Sequence, residues 1–557
     1  MKTKNLLALG IMLWFGLVTA GMAGVRPELL PQKAKNVQSR TFNQTMALAA
    51  GKTLKIENMQ AQLTITTWDR NEMAVEAVVE VGDADPAVVK EFLDNTKLTL
   101  EPGASGAVLR LDSPWTWNED RWTIFKRSGN PLKKKKWSLS FAAKVGLRVP
   151  ASLSLDAANS FGDVSVLGIS GRLVLRNESG KVRIETCGGS LNMSNSFGDI
   201  RIVDFKGAIA VRNESGGVTL ENIGGAAEIR NSFADVRFRK IDGPLTVTSE
   251  SGAVIGEDVA GDCLITSSFK PIEIRGVRGR CEIRGESAEI KVDQVDKDAV
   301  VENSFRPLTA TNIKGGLRVI SESATVTVAD IGGEANIKSS FNGIKAERIH
   351  GRVTVDGESS SVTLREIDGD AVVTSSFKDV VIAGIGGSLS IRSESARVTA
   401  ADVKKDAEIS TSFNAVDVRR IGGGLKVHGE SSSVLAEEIG GAVDIRNSFK
   451  NVILRKTAGS ITVNGESSAV EISQVKSLPP GSLIEIKTSF KPIDLSLPAG
   501  TEVQGTARTE FGKIITDFPV YLLDAGGTGL QAVRFETGKN GATLKLATSA
   551  DITIKKK

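Results

Sequence analysis

Residues Asn159 to Ile200 read NSFGDVSVLGISGRLVLRNESGKVRIETCGGSLNMSNSFGDI. The triplet Asn-Ser-Phe at Asn159 returns at Asn195, and Asn-Glu-Ser stands midway, at Asn177. The pattern does not stop there. The Phe of the Ser-Phe pair falls at Phe161, Phe197, Phe233, Phe269, Phe305, Phe341, Phe377, Phe413 and Phe449. The Glu of the Glu-Ser pair falls at Glu178, Glu214, Glu250, Glu286, Glu322, Glu358, Glu394, Glu430 and Glu466. Each series steps by 36 residues, and superposing Asn159 on Asn177 halves the unit to 18. A fixed internal period outranks every other sequence signal for fold.

Numbering the unit from Asn159 as column one exposes its design. Column six is aliphatic throughout, from Val164, Val182 and Ile200 to Val470. Column seventeen is apolar throughout, from Leu175 and Met193 to Val463, and columns eight, eleven and fifteen are largely apolar. Arg, Glu, Thr, Asp and Ser lie between them. Alternation with period two at columns six and eight, and again at fifteen and seventeen, means half-buried strands. Column thirteen is nearly always Gly, with Lys297 and Lys405 as exceptions. A glycine at a fixed place is expected at a corner with unusual backbone angles. A period this short and regular, too short for a propeller blade, predicts a single-chain parallel β-solenoid in which each unit is one coil. Left-handed hexapeptide helices also use 18-residue coils, but they need apolar residues six apart on every face. Right-handed crossovers being the rule, a right-handed β-helix is expected. About 18 coils at ~4.8 Å each predict a rod of roughly 85 Å.

The alternating Phe has two readings. Pointing inward, a ring above a Ser leaves room that a ring on every coil would not, and each buried ring contributes roughly 1.5–3 kcal/mol. Pointing outward, the rings form a ladder suited to a flat surface. The inward reading is the expectation taken from sequence, which makes the nine rings a structural ladder. The Glu residues are expected to face solvent, where a Ser on alternate coils spaces like charges that would otherwise stand ~4.8 Å apart. A cation- or sugar-binding acidic stripe is the sharper alternative. Cys263 and Cys281 are 18 residues apart, so they share column fifteen on neighbouring coils. They are expected to stack as buried thiols, with a disulfide open as an alternative. Cys187, in column eleven, reads as a core filler.

Outside the array the sequence changes character. Residues 1–23 carry Lys2 and Lys4, an apolar run and small residues near Ala23, the pattern of a secretory signal peptide. No later stretch is long and apolar enough for a membrane-spanning helix. Residues 24–50 read as a linker. Residues 51–158 form an N-terminal β region with strands that resemble degenerate coils and a short helix between Asp83 and Lys97. Asp85 is its expected N-cap and Pro86 its first residue. That region also holds Trp115, Trp117, Trp122 and Trp137 among Arg121, Lys126, Arg127, Lys133, Lys134, Lys135 and Lys136. Aromatic faces with cations suit sugar rings or a lipid surface, and the same tryptophans could cap an open solenoid end. Residues 159–476 are the regular array, and residues 477–557 are degenerate coils and a cap.

Composition narrows the function. The net charge of +4 over 557 residues is no nucleic-acid-binding signature. Three cysteines make no disulfide scaffold, and no cofactor or metal motif stands out. The two histidines, His350 in column twelve and His428 in column eighteen, are not paired. The carboxylates are periodic rather than gathered in a cleft, which speaks against a polysaccharide-active β-helix enzyme.

The opening LKIEN…LTITTWD…MAVEA, the stretch LRVPASLSLDAANSFGDVSVLGISGRLVLRNESGKVRIE and the closing GATLKLATSADITI resemble the bacterial adhesin family of β-strand repeat proteins, which carries a domain of unknown function on a β-solenoid. The resemblance covers most of the chain from about Gly51. It implies a non-catalytic protein of the cell envelope, periplasmic or at the cell surface, whose partners would be an envelope polysaccharide, a surface or another envelope protein. It supplies no catalytic residue. A structural spacer or filament is the other reading.

Overall fold

The computed structural model describes residues 34–118, 121–124, 139–524, 531–538 and 541–557. Strands make up 63% of the chain and helix 2%, so the protein is all-β. It is a parallel β-solenoid of about 18 turns. It divides into two compact units, 1–171 and 172–557.

In the second unit each coil gives one strand to each of two parallel sheets. Val236–Ile241 lies in one sheet and Leu245–Ser249 in the other. The register is the 18-residue step itself: Val218 pairs with Val236, Val236 with Val254, and Leu245 with Cys263. Apolar columns six, eight, eleven, fifteen and seventeen face inward, as Val236, Phe238, Ile241, Leu245 and Val247 illustrate, all buried. No coil can bury these side chains alone, so stacking is what removes them from water. Cys263 and Cys281 are register partners, buried and free. A hydrogen bond between the two sulfurs, together with burial, raises the Cys263 thiol well above its ordinary value. Cys187 is a buried core residue whose thiol donates to the Glu185 carbonyl at 3.2 Å.

The glycine column corrects the sequence reading. Most column-thirteen glycines have ordinary angles, and the constraint is close approach. A Cβ on Gly243 would lie 2.6 Å from the Gly225 backbone. The left-handed residue sits at column ten instead, where Asn222, Lys240, Asp258, Asp330, Arg348 and Glu366 have φ between 54° and 61°. Each strand pair skips this residue, as between Glu221↔Arg239 and Ile223↔Ile241. The left-handed bend turns the chain so that column eleven points inward again.

Coil order departs from chain order near the C-terminus. Leu483–Lys487 pairs with Ala542–Thr548, which in turn pairs with Val503–Thr509. The last segment of the chain therefore inserts as a coil between two that precede it in sequence. Gln531–Glu536 closes this end by pairing antiparallel with Val503–Thr509 and with Val520–Asp524.

In the first unit, Thr53–Met59 and Gln62–Trp68 form a coil. It pairs parallel with Ser154–Phe161 and Val164–Leu167, so the degenerate opening repeats are coils in fact. The stretch read as a linker contains a strand, Gln38–Ala47, antiparallel to Glu72–Gly82. Its alternating pattern is weak because most of its residues are exposed. The helix Pro86–Asn95 starts where expected: the Asp85 carboxylate accepts from the Ala87 amide at 2.9 Å, and Val89, Phe92 and Leu93 are buried. The signal-peptide residues 1–23 lie outside the described residues.

Candidate functional site

The coil has a corner at columns one to five, and there the expectation of inward rings fails. Phe197 is 65% exposed, Phe269 60%, Phe449 58% and Phe511 80%. Within the second unit ten rings, from Phe197 to Phe511, stand in solvent along this corner. Phe161 in the first unit is exposed as well, at 41%.

The inward position is taken by column one. Asn195, Asn213, Asn231, Ser249, Asn303 and Asn447 are all buried. Their side chains satisfy the carbonyls of the turn. Asn195 Nδ2 donates to Gly198 O at 2.7 Å, and Asn447 Nδ2 donates to Lys450 O at 2.8 Å. Asn177 Nδ2 donates to Asn195 Oδ1 at 3.0 Å, which links one coil to the next. At three of the four glycines in column one, Gly357, Gly429 and Gly465, a buried serine at column four supplies the donor; beside the fourth, Gly285, column four is the buried Ala288. Ser360 Oγ reaches Ser339 O at 3.0 Å, Ser432 Oγ reaches Thr411 O at 3.5 Å and Ser468 Oγ reaches Asn447 O at 3.2 Å. A buried turn with unmet carbonyls is costly, so a polar residue wins the inward place and the ring is turned out.

Backbone bonds tie columns two and three to the preceding coil along this corner. The Phe197 amide donates to Glu178 O at 3.1 Å and the Ser215 amide to Ser196 O at 2.8 Å, and the scheme recurs to Ser467 on Ser448 at 2.6 Å. Rings thus recur every second coil, about 9.6 Å apart. The alternation survives the break in chain order. The Ser549 amide donates to Ser489 O at 2.7 Å, and the Phe511 amide donates to Ser549 O at 3.2 Å. The order along the corner is therefore Phe490, Ser549, Phe511, although Ser549 comes last in sequence.

Polar groups alternate with the rings. The nine Glu residues of the intervening coils are exposed, as expected, and none makes a salt bridge among the described residues. Lys270, Arg306, Lys378, Lys450 and Lys491 each follow a ring directly and are exposed and equally unpaired among the described residues. The opposite corner behaves differently. Arg348 binds Asp330 through Nε at 2.7 Å and Nη2 at 2.9 Å, and Arg420 binds Asp402 at 2.6 and 2.8 Å. These guanidinium groups hold both carboxyls below their usual range.

A shallow groove of about 790 Å³ runs along that second corner. Lys240, Asp258, Arg278, Asp296, Lys314 and His350 line it, and its charges alternate in sign. His350 Nδ1 lies 2.6 Å from Asp368 Oδ2 on the next coil. His428 is half-buried on another face, and its Nε2 has no hydrogen-bond partner. Among the described residues no three His, Cys, Asp or Glu side chains converge as metal ligands, and no helix is long and apolar enough to cross a membrane.

The backbone of the Trp-rich segment is a hairpin, Trp115–Asn118 against Arg121–Ile124. The side chains of Trp115, Trp117, Arg121 and Trp122, and the whole of Lys126, Arg127, Lys133, Lys134, Lys135, Lys136 and Trp137, lie outside the described residues. Comparison with protein-family models, with curated proteins and with solved structures finds no match to this chain.

Proposed function

We propose that the protein is a non-catalytic, exported β-solenoid of the bacterial cell envelope that binds a surface, a glycan or another envelope protein through its phenylalanine corner. One observation carries the reading. Ten rings stand exposed at a fixed spacing, and the spacing is kept where the chain re-enters the stack out of order. Inherited repeats alone would not place Ser549 between Phe490 and Phe511. Exposed apolar surface on this scale marks an interaction site. The likeness of the opening and closing motifs to the adhesin family points the same way, and the Trp115–Trp137 segment is a second candidate contact. The spacer or filament reading is favoured by the exposed Tyr521, Leu522 and Leu523 on the terminal strand Val520–Asp524.

The test is retention of the purified protein on envelope fractions and a panel of polysaccharides. Two variants run beside it. One replaces Phe269, Phe305, Phe341 and Phe377 with Ser, and the other replaces Trp115, Trp117, Trp122 and Trp137 with Ala. Retention lost by the Phe variant alone supports the corner. Retention lost by the Trp variant alone moves the site to the N-terminal segment. No retention of the unaltered protein overturns the envelope reading.

A further inference from the structure

The corner has a shape that fits itself. Each ring is followed, one coil on, by a Ser at the same column, so bumps and gaps alternate at about 4.8 Å. A second corner laid alongside with a one-coil offset places each ring in a gap of its partner. The polar groups match too. The gaps carry Glu286, Glu322 or Glu358, which have no ion-pair partner among the described residues, and five of the ten bumps carry a cation, such as Lys270, Arg306 or Lys378, equally unpaired among the described residues. Side-by-side packing brings the cations of one copy beside the carboxylates of the other. A lipid surface would instead meet the row of Glu, and anionic headgroups repel it.

We infer that the phenylalanine corner is a self-association surface and that its partner is a second copy of this chain. The inference rests on the reading of this corner as the binding face and names its occupant. The area suffices. Ten rings at roughly 60% exposure offer about 1,200 Å² per copy, taking about 200 Å² for a whole Phe, against the ~800 Å² per partner of a specific interface. The ladder also carries register information. Phe341 and Phe413 are followed by Asn342 and Asn414, which donate to Ser323 O and Ser395 O of the preceding coil. With Gly198, Ala234 and Gly512 they make five uncharged rungs, which break the translational sameness of the ladder, so one alignment of the copies satisfies more charges than its neighbours.

Sedimentation velocity across a concentration series decides the matter, with the unaltered protein beside the variant in which Phe269, Phe305, Phe341 and Phe377 become Ser. Ser already occupies this column on every intervening coil, so the variant keeps a backbone the fold uses, and an unchanged circular-dichroism spectrum verifies it. The expected result is concentration-dependent association that the variant weakens by about a hundredfold or more, since buried aromatic anchors dominate interfaces. Association is also expected to weaken as salt screens the Lys–Glu contacts. A protein that stays monomeric up to about 100 µM, an ordinary threshold for weak complexes, overturns the inference. So does association that the Phe variant leaves unchanged. The envelope-retention assay separates the two readings. A monomeric protein whose retention still requires the rings keeps the binding face and loses only the second copy as its occupant.

Discussion

The two corners of one coil solve the same problem of reversing the chain, and they leave different surfaces. At column ten a left-handed residue makes the bend, and its outward side chains satisfy one another: Arg348 with Asp330, Arg420 with Asp402, Asn222 with Asp204 at 2.7 Å. At columns one to five buried Asn and Ser donate to the turn carbonyls on the inward face, while the outward face leaves rings, carboxylates and cations without ion-pair partners among the described residues. One corner pairs much of its outward charge within the molecule. The other makes its side-chain bonds mainly on its inner side. The asymmetry separates the part that holds the stack together from the part available to bind.

The comparison breaks most readily on the inner side of the phenylalanine corner. Asn195 donates to Gly198 O at 2.7 Å and to Gly180 O at 3.3 Å, and accepts from Asn177 at 3.0 Å. Asn195→Ala removes all three bonds, while Gly198 O keeps Asn213 and Gly180 O keeps Asn177 as donors; at about 1 kcal/mol for each lost bond the expected loss is about 3 kcal/mol of local stability. Solenoids open locally rather than all at once, so hydrogen exchange is the measurement. The Phe197 and Ser215 amides should exchange about a hundredfold faster in the variant. Unchanged protection would mean that the Asn column is ornamental and that the backbone ladder alone holds the corner.

The outer side of the same corner should respond far less. Replacing Phe269, Phe305, Phe341 and Phe377 with Ser removes rings that are already largely solvated, and each change should cost no more than about 1 kcal/mol. Thermal unfolding followed by circular dichroism checks it. A loss per ring as large as that of Asn195→Ala would make the ladder a packing element and undo the contrast between the two sides.

The columns that build the core were plain in the sequence because burial demands the same chemistry on every coil. Val236, Ile241 and Val247 can be read as inward from any three repeats. The corners were less legible. Strand alternation carried past column one places Phe inward: column fifteen is in, sixteen out, seventeen in, eighteen out, one in. The chain bends at columns two to four, and the parity is lost there. Hydrophobicity read the ring as core, whereas the Asn, Ser or Thr two residues earlier was the signal, since a turn lined with carbonyls needs donors inside. The left-handed column was invisible for another reason. It accepts Asp, Asn, Lys, Arg, Glu, Gln, Thr and Gly, so no composition marks it, while the nearly constant glycine at column thirteen answers to crowding. The exchange of coil order at Ala542–Thr548 left only the likeness of GATLKL to the other strands.

The smallest effect belongs to the completed corner. Arg420→Gln keeps the left-handed bend, since Gln294 and Gln474 hold that column at φ 60° and 56°, and removes only the pair with Asp402. Both side chains are about half exposed, and exposed pairs contribute little. The sign is nevertheless fixed. Arg420 lowers the folded-state pKa of Asp402 below its usual value, so the pair stabilises the fold above the ordinary carboxylate range. That stabilisation is lost as pH falls through the depressed folded-state value. The melting curves of the unaltered protein and of Arg420→Gln should therefore differ slightly at neutral pH and converge in acid. The gap should also narrow as salt is added. A difference that persists at a pH where Asp402 is protonated would show that Arg420 acts through its aliphatic stem rather than its charge. The second corner would then owe its stability to packing, and the contrast with the phenylalanine corner would rest on apolar exposure alone.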